Sequence, residues 1–345
     1  MSEYDESIQK YDKDFQDILN DFPEYRNLIQ MGSSGVSDNL PFTHVGVTNT
    51  PENSYYDNTD YFYKGEDLSF LHFTSLKALL SILSNQSVRF RTLNGVNDVN
   101  EINYVAKEFH ESEDEVKKFQ KEIFSFSLVK YSSSVSELQF NTNNLDLWRF
   151  YGLNGDGVAI KFKILNNPLT WKSFHMSSIL YGEKKAEKLK ALKKRIDFLN
   201  SKYPQLHVRL TNMFSFHKSS HFRNEDEVRL IFSTYLNKNN EYSFISYHSQ
   251  DKKNTLPNQP IKISNSESYF ITIPLTGKEN SQLKNSFFNT SPQLMIEEII
   301  LGYKFKEDEL NLYRNIFRSI IETSNGLEIE PEKIYITALK NLFRD

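Results

Sequence analysis

No cysteine occurs anywhere in the 345 residues, which rules out a disulfide framework, a cysteine–zinc site and a thiol nucleophile. Long apolar runs are missing as well. None approaches the ~18–20 residues of a membrane span, and the opening MSEYDESIQKYDKDF carries too many charges for a secretory signal. A net charge of −4 leaves no global field that would steer the chain to nucleic acid or an anionic membrane. The expectation is a soluble, cytoplasmic protein. Familiar nucleotide and hydrolase signatures are absent too: there is no GxxxxGK[ST], no strand–GxGxxG–helix and no GxSxG. GLNGDG (152–157) comes nearest, but it runs from a helix into a strand, whereas a phosphate loop needs a helix N-terminus to follow it. Its glycines read as a helix cap and a tight turn.

What the chain does have is aromatic bulk. Hydrophobic residues make up 38% and Phe, Trp and Tyr together 14%, so aromatic rings must carry much of the packing. Length alone suggests about two domains, but the pattern divides as an N-terminal helix plus Tyr-rich linker over 1–65 and a single α+β domain over 66–345. Residues 4–30 place Ile8, Phe15, Ile18, Leu19, Phe22, Tyr25 and Leu28 at helical steps, interrupted near Pro23. MGSSGVSDNLP reads as a linker, and the stretch from Asn49 to Asp67 as a Tyr-rich loop that can form a binding surface.

The core opens with LSFLHF (68–73), an apolar strand. A helix follows, with Leu76, Leu79, Leu80 and Leu83 on one face and Thr74 or Ser75 as its cap. SVRFRTL (87–93), IFSFSLV (123–129), GVAIKFKI (157–164), EVRLIFSTY (227–235), SYFITIPL (268–275), EEIILGY (297–303) and KIYITAL (333–339) read as strands. Helices are expected over about 100–121, LDLWRFYG, 183–200 and KEDELNLYRNIFRSIIE. Strands and helices mix without a βαβ rhythm, which favours α+β. Seven Lys or Arg fall between Lys184 and Arg195. They read as a solvated face, with a local nucleic-acid contact as the alternative.

Four groups are candidates for chemistry. His217, His221 and Glu225 are spaced i, i+4, i+8; on one helix they would offer a zinc site, otherwise they are surface or loop residues. His72 sits in an apolar strand just before a capped helix. Trp148 and Tyr151 lie three apart on a short helix. In FRNEDEVRLIF (222–232), an extended chain puts Glu225, Glu227 and Arg229 on one face, spaced ~6–7 Å, and Asp226 on the other. That is either a solvated strand edge or a catalytic wall.

Taken together, FLHFTSLKALLSILSNQSVRFRTLNGVNDVNE, FSFS, LWRFYGLNGDGVAIKF, FRNEDEVRLIF and IEEIILG occur in an order that resembles the bacterial and phage family called domain of unknown function 2971. The pattern is in turn similar to the ADP-ribosyltransferase superfamily: a first strand with His followed by Thr, a helix, a second strand, and a late Glu-x-Glu strand. The resemblance implies a split β-sheet with flanking helices and NAD as substrate, its ADP-ribose passing to a macromolecular acceptor (protein, RNA or DNA). It also implies a role as a toxin or antiviral defence effector. On that likeness His72 orients NAD with Thr74 or Ser75 assisting, Tyr151 or Trp148 stacks on nicotinamide, and Glu227 is the catalytic carboxylate. Glu225 then positions Glu227 or meets the acceptor, and Arg229 binds a phosphate or pairs with Glu225. Phe73 stands where that superfamily has glycine, and Asn97, Asp98 and Glu101 have no counterpart in its mechanism. A nucleotide hydrolase and a non-catalytic nucleotide sensor or partner-binding module are the competing readings.

Overall fold

Alternating burial along the strands and leucine stripes on the helices build one sheet with helices against it. The computed structural model describes residues 3–25, 30–32, 36–37, 40–41, 44–46, 60–95, 99–109, 112–131, 144–171, 174–203, 210–233, 235–236, 242–243, 269–276, 291–322 and 329–342. The main sheet has nine strands: β1 (Ser69–Thr74), β2 (Ser87–Thr92), β3 (Ile123–Lys130), β4 (Val158–Ile164), β5 (Phe174–Ser178), β6 (Glu227–Ser233), β7 (Phe270–Pro274), β8 (Leu294–Leu301) and β9 (Ile334–Ile336). They run β7-β2-β3-β1-β4-β8-β9, with β6 joining β3 to β5. Only β8 and β9 pair in parallel, so the architecture is α+β with a mixed sheet.

The sheet branches at β3. Along one edge, β6 pairs with it from Glu227↔Val129 to Ser233↔Ile123. The other edge is shared: β1 takes Val129 and Lys130, β2 takes Phe124 and Ser125. Neither ladder reaches Phe126, Ser127 or Leu128 on that edge, so β1 and β2 diverge around a gap. Helix α2 (Leu76–Asn85) connects them. Ser75 caps it, its Oγ accepting from the Ala78 amide at 3.1 Å, and Gln86 in the left-handed region (φ 47°) ends it. Leu79 and Leu83 are fully buried, each contributing about 1.5–3 kcal/mol by burial.

Register assigns the two faces. Phe70, Phe90, Phe124, Phe126, Phe162, Phe174 and Phe232 share one core with α2 and with α8 (Leu310–Glu322). On the other face, Ile123 and Ile231 meet α1 (Glu3–Asp21), α3 (Val99–Phe109), α4 (Glu113–Glu122) and α6 (Glu183–Lys202). A smaller cluster there joins Leu71, Phe73, Val129, Ala159 and Ile300 to α5 (Leu145–Phe150). A four-residue helix, α7 (Thr211–Phe214), precedes the acidic segment.

Several expectations change in detail. Strand β5 escapes the sequence pattern because FHMS is buried on both faces and shows no alternation. The last strand is three residues long and gives way to a 3-10 turn, Ala338–Leu342. Two short pairs, Gln30–Gly32 with His44–Gly46 and Val36–Ser37 with Leu40–Pro41, stand where a linker was expected. Tyr61 and Tyr63 are buried, so these two tyrosines pack instead of forming a binding surface. Several cations of the basic helix α6 have carboxylate partners. Lys185 pairs with Asp60, Lys190 with Glu108, Lys193 with Asp197 and Arg195 with Asp21. At its end Lys202 pairs with Asp14, so an acidic α1 lies against a basic α6 and the row of cations is interrupted.

Candidate active site

The gap between β1 and β2 opens into a cavity of about 610 Å³, within the range of small-molecule sites. The stretch of β3 left open on this edge forms its floor and α2 lies behind the gap. Across from α2 stand Tyr151, Lys218, Phe222, Glu225 and Glu227. His72, Thr74 and Ser75 line the same space, so six of the eight residues to which the resemblance assigned a site role meet there.

The acid cluster is not a straight strand. Glu225 ends a 3-10 turn (Ser220–Glu225), Asp226 adopts φ 42°, ψ 44°, and β6 begins at Glu227. Aspartate tolerates the left-handed region better than most residues. The kink brings two carboxylates together that an extended chain holds ~6–7 Å apart. Lys218 Nζ lies 2.8 Å from Glu225 Oε2 and 2.6 Å from Glu227 Oε2. Lys218 is supplied by a two-residue strand, His217–Lys218, paired in parallel with Leu180–Tyr181. Nothing in the sequence marks Lys218, because its contacts to the two acids arise only once the chain bends at Asp226.

The network continues inward. Arg229 donates from Nε and Nη2 to the two oxygens of Glu227 at 2.9 and 3.1 Å, and from Nη1 to the Ser215 carbonyl at 2.7 Å. Its side chain is 2% exposed and that of Glu227 is 4%. Arg229 is therefore the buried partner of Glu227 and does not line the cavity, which corrects the phosphate role expected for it. Burial alone would raise the Glu227 carboxyl, but Arg229 and Lys218 outweigh it and hold it at about 2. Toward the cavity, the Tyr151 hydroxyl donates to Glu225 Oε1. Burial first, and then the Glu225 charge, push the Tyr151 phenol above its ordinary range, so it stays a donor. The Tyr181 hydroxyl accepts from the Glu227 amide at 2.9 Å.

His72 approaches from the other side. Register puts it on the sheet face opposite Glu227, and the gap lets both line one cavity. Its Nδ1 donates to the Ser127 carbonyl at 2.9 Å, satisfying a backbone acceptor on the open edge of β3. The ring stacks on Phe126 at 4.4 Å. Burial, aided by the charge of Arg91, lowers its pKa from 6.5 to about 4. The imidazole is neutral at pH 7, and with the proton on Nδ1 its Nε2 is a bare acceptor. Ser75 spends its hydroxyl on the helix cap.

Trp148 does not reach the cavity. It is fully buried, edge-to-face with Phe73 at 5.0 Å, and a Cβ at Gly152 would meet its ring at 2.4 Å. This corrects the stacking role and leaves Tyr151, of these two candidates, as the one that lines the cavity. Phe73 is the other half of that core pair, which explains a large ring at the expected glycine. GLNGDG is a packing element: Tyr151 caps α5, the Gly152 amide donates to the Leu147 carbonyl at 3.1 Å, and a Cβ at Gly157 would lie 2.6 Å from the Thr74 carbonyl.

His217 and His221 do not share a helical face. The His217 Nε2 meets the Tyr61 hydroxyl at 2.8 Å within the core, whereas His221 Nδ1 meets Ser219 Oγ at 2.8 Å in the 3-10 turn. Among the described residues, no three His, Cys, Asp or Glu side chains gather as a metal site. Asn97 and Asp98 lie outside the described residues, as does the side chain of Glu101. No helix among the described residues is long and apolar enough to cross a membrane.

Residues 147–230 match the family described as protein of unknown function, DUF2971. That stretch is well under half of the chain. It holds Tyr151, Lys218, Glu225, Glu227 and Arg229, and the His72 strand lies before it. No curated protein and no solved structure matches the chain.

Proposed function

We propose that this protein is an ADP-ribosyltransferase-like enzyme that transfers ADP-ribose from NAD to a macromolecular acceptor. The reading rests on one observation: a split sheet brings the acceptor nitrogen of His72 and the Tyr151–Glu225 pair to opposite sides of one cavity. In the reaction the bond between ribose C1′ and the nicotinamide nitrogen breaks, and its electron pair leaves with nicotinamide. The cationic ribose bonds to the acceptor nucleophile, whose proton passes to a carboxylate. A carboxylate beside C1′ stabilises the developing positive charge, His72 Nε2 accepts from a ribose hydroxyl, and Tyr151 offers a ring to nicotinamide.

Between the two acids, the exposure favours Glu225 as the reacting carboxylate. Its side chain is 13% exposed and accepts from the Tyr151 hydroxyl, whereas Glu227 is 4% exposed and bound by two cations. Glu227 then anchors Lys218 and Arg229. The test is incubation with cell lysate and NAD labelled on its adenylate half. Wild type is expected to label a macromolecule, and Glu225→Gln to do so ~10²–10³-fold more slowly, the loss typical of one electrostatic contact to a developing charge. Equal labelling by both, or none by wild type, refutes the transferase reading. NAD consumption without labelling indicates hydrolysis.

A further inference from the structure

With Arg229 sealed under Glu227, the cationic groups that face the cavity lie elsewhere. Lys77 comes from the first turn of α2, and Arg89 and Arg91 from alternate positions on β2. Register sets Arg91 opposite Ser125 on β3, so both arginines lie on the sheet face that carries Glu227. All three cations are exposed, and none has a carboxylate partner among the described residues. Several cations of α6 are paired with carboxylates, and the net charge of the chain is −4. The cavity reverses that balance, with four cations against two carboxylates. Lys218 is spent on those two carboxylates, which leaves three positive charges on the β2–α2 wall.

Arg89 is also held in place. Its guanidinium lies over the Phe270 ring, 4.4 Å from the centroid. Stacking fixes the plane of the fork without consuming its N–H donors. Alternate residues on a strand stand ~6–7 Å apart, a spacing that lets two guanidiniums bracket a pair of linked phosphates.

We infer that Lys77, Arg89 and Arg91 form an anion subsite for the diphosphate of the cavity's ligand. The acid-rich wall takes the sugar end, and the β2–α2 wall takes the phosphates. Identifying that ligand as NAD rests on the function proposed above; the anion subsite itself does not.

Titration calorimetry of the full chain with inorganic pyrophosphate tests the inference, run beside the NAD labelling assay. Wild type is expected to bind pyrophosphate with an affinity that weakens as salt rises. Arg89→Gln/Arg91→Gln should weaken it at least ~10-fold, about 1.4 kcal/mol. Arg91→Gln/Lys77→Gln spares the Phe270 stack and should do the same. Lys64→Gln/Lys194→Gln removes equal charge outside the cavity and should leave binding unchanged. No pyrophosphate binding by wild type, or equal loss in the charge-matched control, overturns the subsite. Pyrophosphate binding without NAD turnover keeps the subsite and refutes the transferase. Undiminished NAD turnover in both cavity double variants refutes the subsite alone.

Discussion

Replacing Glu227 by glutamine keeps the shape of the side chain and removes one charge, which isolates the electrostatics of the buried network. In the wild type, Glu227 receives Arg229 on both oxygens and Lys218 on one, and these side chains are 4%, 2% and 7% exposed. A glutamine oxygen can still accept from one cation, but its amide must face the other donor to donor. Breaking a buried pair in this way costs about 3–5 kcal/mol, mostly because the remaining charges are left without compensation. Total stabilities are about 5–15 kcal/mol, so the variant should unfold roughly 4–7 °C below wild type in a thermal melt followed by circular dichroism. Arg229→Met should also destabilise. Combined with Glu227→Gln it should cost less than the two separately, with a coupling of about 1–3 kcal/mol. Additivity within ~0.5 kcal/mol, or a Glu227→Gln melt matching wild type, would refute the assignment of Glu227 and Arg229 as a mutually dependent pair.

Other consequences can be measured alongside. Asp226→Val forces a β-branched residue into the left-handed region at a cost of about 1–2 kcal/mol, while Asp226→Gly should stay within ~1 kcal/mol of wild type, since the exposed Lys130 contact it loses is worth little; equal melts for the two would show that the kink is unstrained. Trp148→Ala should lose about 3–5 kcal/mol by cavity formation, and a stability within ~1 kcal/mol of wild type would contradict its place in the core. Acid should destabilise the fold in two stages. His72 and His217 are lowered to about 4 and about 3 from 6.5, chiefly by burial, and Glu227 is held at about 2 from 4.5. All three folded values are depressed, so the unfolded chain takes up protons first. Their stabilisation is complete above pH 6.5 and is lost as pH falls, through the histidine window to about 3 and the Glu227 window from 4.5 to about 2. A denaturation midpoint that stays flat from neutrality to pH 4 would contradict it.

The sequence made local features legible and hid long-range ones. Ser75 and the leucine stripe of α2, the alternation of SVRFRT and the apolar IFSFSLV announce their elements because cap and period are local properties. The order of His72, Tyr151 and the acid pair pointed to several residues that line one cavity for the same reason: each belongs to a short motif. The branching of the sheet is a choice of register by β3, and no stretch of β1 or β2 records it. Lys218 is invisible because its importance comes from Asp226 bending the chain toward it. Arg229 was legible as a cation beside acids, but spacing alone cannot tell a ligand contact from a buried partner. Burial decides that, and the same consideration places the proposed phosphate subsite at Arg89 and Arg91, the exposed positions of a strand whose alternate residues are buried.

A crystal structure of the Glu225→Gln variant grown with NAD tests the central claim most directly, because it fixes the ligand before turnover. The expected result is NAD in the cavity between β1 and β2, its ribose beside His72 Nε2 and residue 225 and its diphosphate on Arg89 and Arg91. NAD bound away from this cavity, or a cavity left empty at saturating NAD, would contradict the account.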